Sequence, residues 1–369
     1  MQFIDLAAQQ VRIRAAIEER FRRILDHGQY ILGPEIREIE ERLAGYVGVP
    51  YAVSVASGTD ALLMPLLAEN IGAGDAVFAP TFTFIATAGA ISLTGATPVF
   101  VDIDPETFNI DPSSLEKSIV LTLRSGKLKP RGIIPVDLFG QPADYPALQA
   151  VAEKYGLFVL EDAAQSFGGS QNGRKACALS RVAGTSFFPA KPLGCYGDGG
   201  MIFTVDQSLH KELLSIRVHG QGADKYTNVR VGINGRMDSV QAAVLLAKME
   251  IFPEELELRQ QVAGRYNRLL AGSVAIPVIR QGNLSAWAQY SVLHPHRDEL
   301  IAKLRAQGIP TAIYYPIPLH LQQAFAHLGY RKGDFPVAEK IAGEIFSLPM
   351  HPYLEEETQE RIAAAIRGI

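Results

Sequence analysis

A carboxylate and an amine are the first residues of this chain that could do chemistry together. Asp162 follows the apolar run at 157–160, and Lys191 lies in the segment SFFPAKPLG at 186–194, after a second apolar stretch. A strand that ends in a carboxylate and a loop that offers an amine suit a site for pyridoxal phosphate (PLP). In such a site a lysine forms a Schiff base and a carboxylate holds the pyridinium proton. The amine has to be neutral to attack, so burial or a nearby cation must lower its pKa. Ser57, Gly58 and Thr59 stand where an apolar run meets a helical pattern. Backbone N–H groups at a helix start bind phosphate, and glycine permits close approach. No Walker sequence competes, because Gly126 and Lys127 lack the upstream glycine spacing. The eight histidines show no HExxH or Cys/His ligand spacing, so no metal site is expected.

The elements that would position these groups follow an α/β rhythm. Short apolar runs at 51–56, 76–79, 98–102, 132–136, 157–162, 185–188 and 201–205 read as strands. Helical spacing appears at 8–27, 35–46, 59–67 and 145–155, with Gly28 as the stop of the earliest. This alternation predicts a mostly parallel sheet with covered faces, whose ligands gather at the carboxyl ends of its strands. Asp162 is placed at such an end. A helix N-capped near Asp238 and ended at Pro253 follows, then helices at 254–270, 297–307, 337–345 and 355–366, a strand at 290–294, and an irregular proline-rich segment at 314–319. These predict a large domain at 1–250 and a small C-terminal α+β domain at 251–369.

Composition narrows the field. With 369 residues, 47% of them hydrophobic and 20% charged, the chain can bury a large core. A net charge of −4 gives no electrostatic case for nucleic acid. Two cysteines, Cys177 and Cys195, make no disulfide framework and fit a reducing cytoplasm, with Cys195 read as a packed residue. The opening MQFIDLAAQQVRIR lacks the apolar core of a signal peptide. The uncharged stretch 82–101 contains Gly89, Gly95 and Pro98, and reads as a buried helix, a turn and a strand rather than a membrane span.

EDAAQSFG at 161–168 and SFFPAKPLG at 186–194 resemble the aspartate and lysine boxes of the DegT/DnrJ/StrS family of PLP-dependent sugar aminotransferases. FIDLAAQQ at 3–10, GQYILGPE at 28–35, ASGTDAL at 56–62, PTFTFIATA at 80–88 and GINGRMDSVQAA at 232–243 extend the resemblance, in family order, over essentially the whole chain. It implies the type I PLP (aspartate aminotransferase) fold and a homodimer. It implies Lys191 as the Schiff-base lysine and acid–base group, and Asp162 on the pyridine nitrogen. Gln165 would bond the ring oxygen while Ala164 leaves room beside the ring. Ser186 would join Gly58 and Thr59 at the phosphate, and Phe84 would stack on the ring. Asn234 would reach the phosphate from the neighbouring subunit. His219, Arg236, Tyr314, Tyr315 and His320 are candidate substrate contacts, and the guanidinium fork of Arg236 matches a sugar carboxylate or a diphosphate. A core phenylalanine, a solvated amide and a salt bridge are the competing readings of Phe84, Gln165 and Arg236.

Within the family the blocks are similar to the branch that aminates the 3-keto position of UDP-2-acetamido sugars, the glucuronate above all. The implied donor is L-glutamate, the implied aminated cofactor is pyridoxamine phosphate, and the product would feed polysaccharide, O-antigen or lipid A assembly. One position departs. The glucuronate branch carries histidine where this chain has Tyr314, which offers a neutral hydroxyl to a C6 carboxylate. UDP-3-keto-GlcNAc and dTDP-linked 3-keto or 4-keto sugars are the rival substrates. Related sugar dehydratases replace the lysine with histidine, so Lys191 argues against them. A PLP-binding regulatory protein on the same fold is the non-enzyme alternative.

Overall fold

The structure, a computed structural model, describes residues 1–224 and 226–368. Its centre is a seven-stranded sheet of β1 (Tyr51–Val55), β2 (Asp75–Pro80), β3 (Thr97–Val101), β4 (Lys129–Ile133), β5 (Phe158–Asp162), β6 (Val182–Ser186) and β7 (Gly200–Thr204), in the spatial order β1-β7-β6-β5-β4-β2-β3. The run from β6 to β3 is parallel, and β7 runs antiparallel to both β1 and β6. Strands β2 and β7 are buried along their whole length, as expected of strands covered on both faces.

Local chemistry fixes the covering helices. Asp5 caps Leu6–His27 by accepting from Ala8 N at 2.9 Å, and Gly28, at φ 69°, closes it in the left-handed region that glycine adopts at little cost. Ile13, Ile17 and Ile24 form its buried stripe. Ser57 caps Gly58–Ala68, which lies directly on β6. A Cβ at Gly184 would come within 2.7 Å of the Ala61 carbonyl. Pro65 supplies no N–H to that carbonyl, one turn behind it in the helix. Glycine in the strand and proline in the helix together set a close helix–sheet approach.

Two strands differ from expectation. The strand read at 132–136 starts earlier, at Lys129, because its polar entry is held by Lys129 N to Gly74 O at 2.9 Å and by the Arg131–Asp75 ion pair at 3.2 Å. The strand read at 185–188 is Val182–Ser186. Phe187 leaves the ladder to bond Gly199 O, and Cys195 N returns to Phe187 O, each at 2.8 Å. Asp238 occupies an N-cap position without a side-chain cap bond, and its helix, Ser239–Met249, ends before Pro253, which opens the next, Phe252–Leu270. The stretch 82–101 folds as the helix Ala86–Leu93 and strand β3. Among the described residues no helix is long and apolar enough to cross a membrane.

Beyond residue 261 a separate core forms, with Val262, Tyr266, Tyr290, Leu304, Phe346 and Ile362 at its heart. It covers a two-stranded antiparallel sheet, Tyr290–Leu293 with Ile345–Leu348, whose second strand follows the Pro336–Glu344 helix without a break. A further cluster joins this region to the large sheet, packing Phe82, Phe100 and Phe139 against Leu319, Phe325 and Phe335.

Candidate active site

Neighbouring strands bring the acid and the amine together. Asp162 is the last residue of β5 and pairs in parallel register with Gly184 of β6. Two residues beyond, β6 ends at Ser186 and the chain turns into the loop that carries Lys191. Lys191 N bonds Phe188 O at 2.9 Å, and a Cβ at Gly194 would come within 2.6 Å of that same carbonyl oxygen. The turn therefore needs its glycine.

Asp162 is buried. Its Oδ2 accepts from Thr87 Oγ1 at 2.8 Å and its Oδ1 from Ala164 N at 3.2 Å. Burial raises its pKa, while these bonds and the Lys191 charge work the other way. Burial also pushes Lys191 down to about 8, against the pull of Asp162. An amine shifted in that direction is neutral far more often near pH 7.5 than an ordinary lysine. The sequence-level requirement for a nucleophilic amine is thus met by desolvation.

A second buried carboxyl lies behind. Asp137 accepts from Ser166 Oγ at 2.7 Å, Tyr145 OH at 2.9 Å and Ala143 N at 3.0 Å, and its N–H donates to Asp162 O at 3.1 Å. Burial drives its pKa upward, with the Asp162 charge adding to the rise. Glu161, pointing to the opposite side of the strand from Asp162, accepts from Leu179 N at 2.9 Å. Neither Thr87 nor Asp137 stood out in the sequence. Thr87 lay within the quoted PTFTFIATA block, and its placement one turn after Thr83 was the available signal.

The remaining candidates divide. Ser57 Oγ accepts from Asp60 N at 3.1 Å, so the Ser57–Thr59 turn starts a helix as expected. A Cβ at Gly58 would sit 2.6 Å from Ser186 Cβ, which brings this turn and Ser186 together. Phe84 keeps 57% of its surface exposed, with its ring 6.2 Å from that of Tyr315. Gln165 is buried, with Oε1 accepting from Phe139 N at 2.6 Å and Nε2 donating to Tyr315 OH at 3.1 Å. Tyr314 and Tyr315, joined by a cis peptide bond, are half-buried. His219 and Asn234 are exposed on a loop, and Arg236 has a buried Nε without a hydrogen-bond partner among the described residues. His320, a candidate substrate contact, has both ring nitrogens engaged inside the chain. It is buried, Nδ1 pairs with Thr81 Oγ1 at 2.8 Å and Nε2 with Glu339 at 3.1 Å. Both ring nitrogens are spent on the fold. Cys195 donates to Phe187 O and Gly197 O, and burial pushes its thiol up to about 11, the environment of an unreactive packed cysteine.

A model of the DegT/DnrJ/EryC1/StrS aminotransferase family matches residues 11–367. The chain belongs to this aminotransferase family. It is 50% identical to the UDP-2-acetamido-2-deoxy-3-oxo-D-glucuronate aminotransferase of Pseudomonas aeruginosa over 367 residues, covering 99% of each chain. A crystal structure of a family aminotransferase from Brucella abortus superposes with a TM-score of 0.98 at 51% identity, covering 100% of this chain and 99% of that one. NtdA from Bacillus subtilis, solved with bound cofactor PMP, has a TM-score of 0.90 at 28% identity, over 99% of this chain and 82% of the other. The residues gathered here fit such a cofactor. Lys191 is an amine of depressed pKa, Asp162 is a buried acceptor in electrostatic contact with it, and the Gly58–Ser186 contact forms a tight cradle at a helix start.

Proposed function

We propose that the chain is a PLP-dependent aminotransferase that moves the amino group of L-glutamate to the 3-keto position of a UDP-2-acetamido sugar, the 3-oxo-glucuronate first. The observation that carries this reading is Asp162 at the carboxyl end of β5, in register with Gly184 of β6, whose following loop carries Lys191 with its pKa pushed down to about 8. The substrate follows from the relative with 50% identity over nearly the whole chain. When bound, PLP supplies an electron sink for the bonds at the amino-bearing carbon.

The chain's own groups do the rest. Asp162 would hold the ring nitrogen, with Thr87 keeping its Oδ2 in place. Ser186 and the N–H groups of the Ser57–Thr59 turn would hold the phosphate, Ala164 leaves space beside the ring, and the exposed face of Phe84 would cover it. Gln165 would reach the ring oxygen by exchanging its bond to Tyr315. Lys191 Nζ, titrating close to neutrality, can both take and return a proton. Arg236 Nε lacks a hydrogen-bond partner among the described residues and would suit an anionic part of the substrate. Asn234 would act on the site of a second copy, in a homodimer whose active sites are shared. Apolar side chains left exposed at Ile31, Phe188, Val229 and Val231 support a covering partner. Residues 251–369 would form the smaller domain, and the enzyme would work in the cytoplasm, feeding cell-surface polysaccharide assembly.

The test is the visible absorbance of the PLP-loaded protein mixed with UDP-2-acetamido-3-amino-glucuronate, beside the uncharged UDP-3-amino-GlcNAc. Conversion of the cofactor to its pyridoxamine form by the glucuronate, in preference, is the expected result. Preference for the neutral sugar would move the substrate to the rival, with Tyr314 as its cause. Conversion by glutamate but by neither sugar would discard both sugars, and no conversion by glutamate would leave the regulatory alternative.

A further inference from the structure

The loop that carries His219, Asn234 and Arg236 has a root built from a buried ion pair. Residues 216–224 and 226–235 form a ribbon, with His219 N bonded to Ile233 O at 3.0 Å, Val229 N to Gly220 O at 2.9 Å and Gly222 N to Thr227 O at 2.7 Å. At its base Arg217 is buried, with 8% of its side chain exposed. Its Nη1 donates to Glu40 Oε1 at 2.6 Å, to Ser54 O at 3.1 Å and to Ser54 Oγ at 3.2 Å. Glu40 Oε1 also accepts from Ser54 N and Oγ, both at 2.8 Å. One guanidinium thereby ties together Pro34–Val47, which bears Glu40, and strand β1. The Arg217 backbone extends the tie. Its carbonyl accepts from Gly235 N at 3.1 Å, and Gly235 O accepts from Ala56 N at 3.0 Å. Ala56 directly precedes the Ser57–Thr59 turn. Met64 Sδ would lie 3.1 Å from a Cβ at Gly235, so even this relay residue is tightly packed.

We propose that Arg217, paired with Glu40, is the positioning residue of this ribbon, and that it sets where His219, Asn234 and Arg236 meet the substrate and the cofactor phosphate. The proposal rests on the assignment of those three residues to the site. Fold stability alone is a poor reason for such a pair, because buried ion pairs are often replaceable by apolar groups without loss. A fixed geometry is what it supplies. Within one subunit the outer ribbon has little packing among the described residues, with Val229 and Val231 exposed by 60% and 91%, so there its root is the fixed point from which a covering partner would meet it. The same root holds the residue before the phosphate turn. Ribbon and turn therefore share one anchor.

The test pairs two readouts. Arg217→Met with Glu40→Gln removes the pair without stranding a charge, and Arg217→Lys keeps the charge but not the fork. Kinetics with PLP and glutamate saturating and the UDP-2-acetamido-3-oxo sugar varied should show KM raised roughly ten- to a hundredfold and kcat nearly kept, the pattern of lost binding made equally in the ground and transition states. Amide hydrogen exchange should show protection lost over 216–235 and kept over 158–186. A folded variant with wild-type KM and wild-type ribbon protection would overturn the proposal. Equal loss of protection across the whole chain marks general destabilisation, and Arg217→Lys then decides: wild-type KM in a folded protein with a loosened root overturns the proposal, and a raised KM upholds it. If the wild-type protein turns over no nucleotide sugar, the parent reading falls and the proposed substrate role with it, while the exchange data report separately on the anchor.

Discussion

Thr87→Val removes the hydroxyl's bond to Asp162 and its longer, 3.4 Å contact with Thr83 Oγ1, and little else. The valine methyl replaces a hydroxyl that donates to Asp162 Oδ2 at 2.8 Å, at a buried position where no cavity results. A hydrogen bond to a charged group contributes about 1.5–3 kcal/mol. That bond matters most when Asp162 is ionised and paired with a protonated ring nitrogen, so the loss falls on cofactor affinity. Dividing by about 1.4 kcal/mol per decade gives a Kd for PLP weakened by roughly ten- to 150-fold. The sign of the pH effect follows from burial, which already raises the Asp162 pKa. Cofactor affinity falls as pH drops through that pKa, and losing the Thr87 donor moves the fall to higher pH. Equilibrium dialysis against PLP from pH 5 to 8, with a thermal melt of each apoprotein, reads both quantities. An unchanged Kd and pH profile in a T87V protein that melts like the wild type would refute the assignment of Thr87 as the support of Asp162.

Four further outcomes are expected. Lys191→Ala should fold normally and lower transamination by roughly 10²–10⁴-fold or more, since it removes the proton-transferring amine; rapid-mixing kinetics check it. Gly58→Ala should drive a methyl against Ser186, costing about 1–3 kcal/mol in stability and cofactor binding together, read by melting and dialysis. His351, buried with its pKa pushed down to about 4, is neutral in the folded chain but protonates near 6.5 when unfolded. Its contribution is therefore present above about pH 6.5 and lost as pH falls towards 4, up to about 3 kcal/mol, and urea titrations of a His351→Gln variant should show a flatter acid limb. Tyr314→His should raise the preference for a carboxylated over a neutral sugar, measured as the ratio of their kcat/KM values, and an unchanged ratio would remove Tyr314 from the specificity argument.

The parts legible in the sequence were those where one residue type is needed for one local reason. Gly28 ends its helix, Ser57 starts another, and the apolar run before Asp162 is a strand because it is buried on both faces. The parts that escaped depend on partners distant in sequence. Lys129 and Arg131 look like loop residues until Asp75 answers them across the sheet. Ile345 continues a helical pattern, yet it pairs with Leu293 as a strand. His320 has the chemistry of a substrate contact, but Thr81 and Glu339 close on both of its nitrogens. Thr87 and Asp137 carry no motif of their own, and their roles exist only once the sheet has set them beside Asp162 and Ser166. Arg217 was invisible for the same reason, since Glu40 and Ser54 lie far upstream.

The parallel register of Asp162 with Gly184 separates what the enzyme must keep from what it can change. Asp162 and the start of the Lys191 loop, the two poles of the proposed cofactor site, are spaced by backbone ladder bonds, whose geometry is indifferent to most side-chain replacements nearby. The groups proposed to face the sugar lie on the ribbon and on the Tyr314–Tyr315 segment, both outside that ladder. Selection can rewrite the second set while the first stays in place. A lineage built this way acquires new sugars by local edits and retains its amine chemistry throughout.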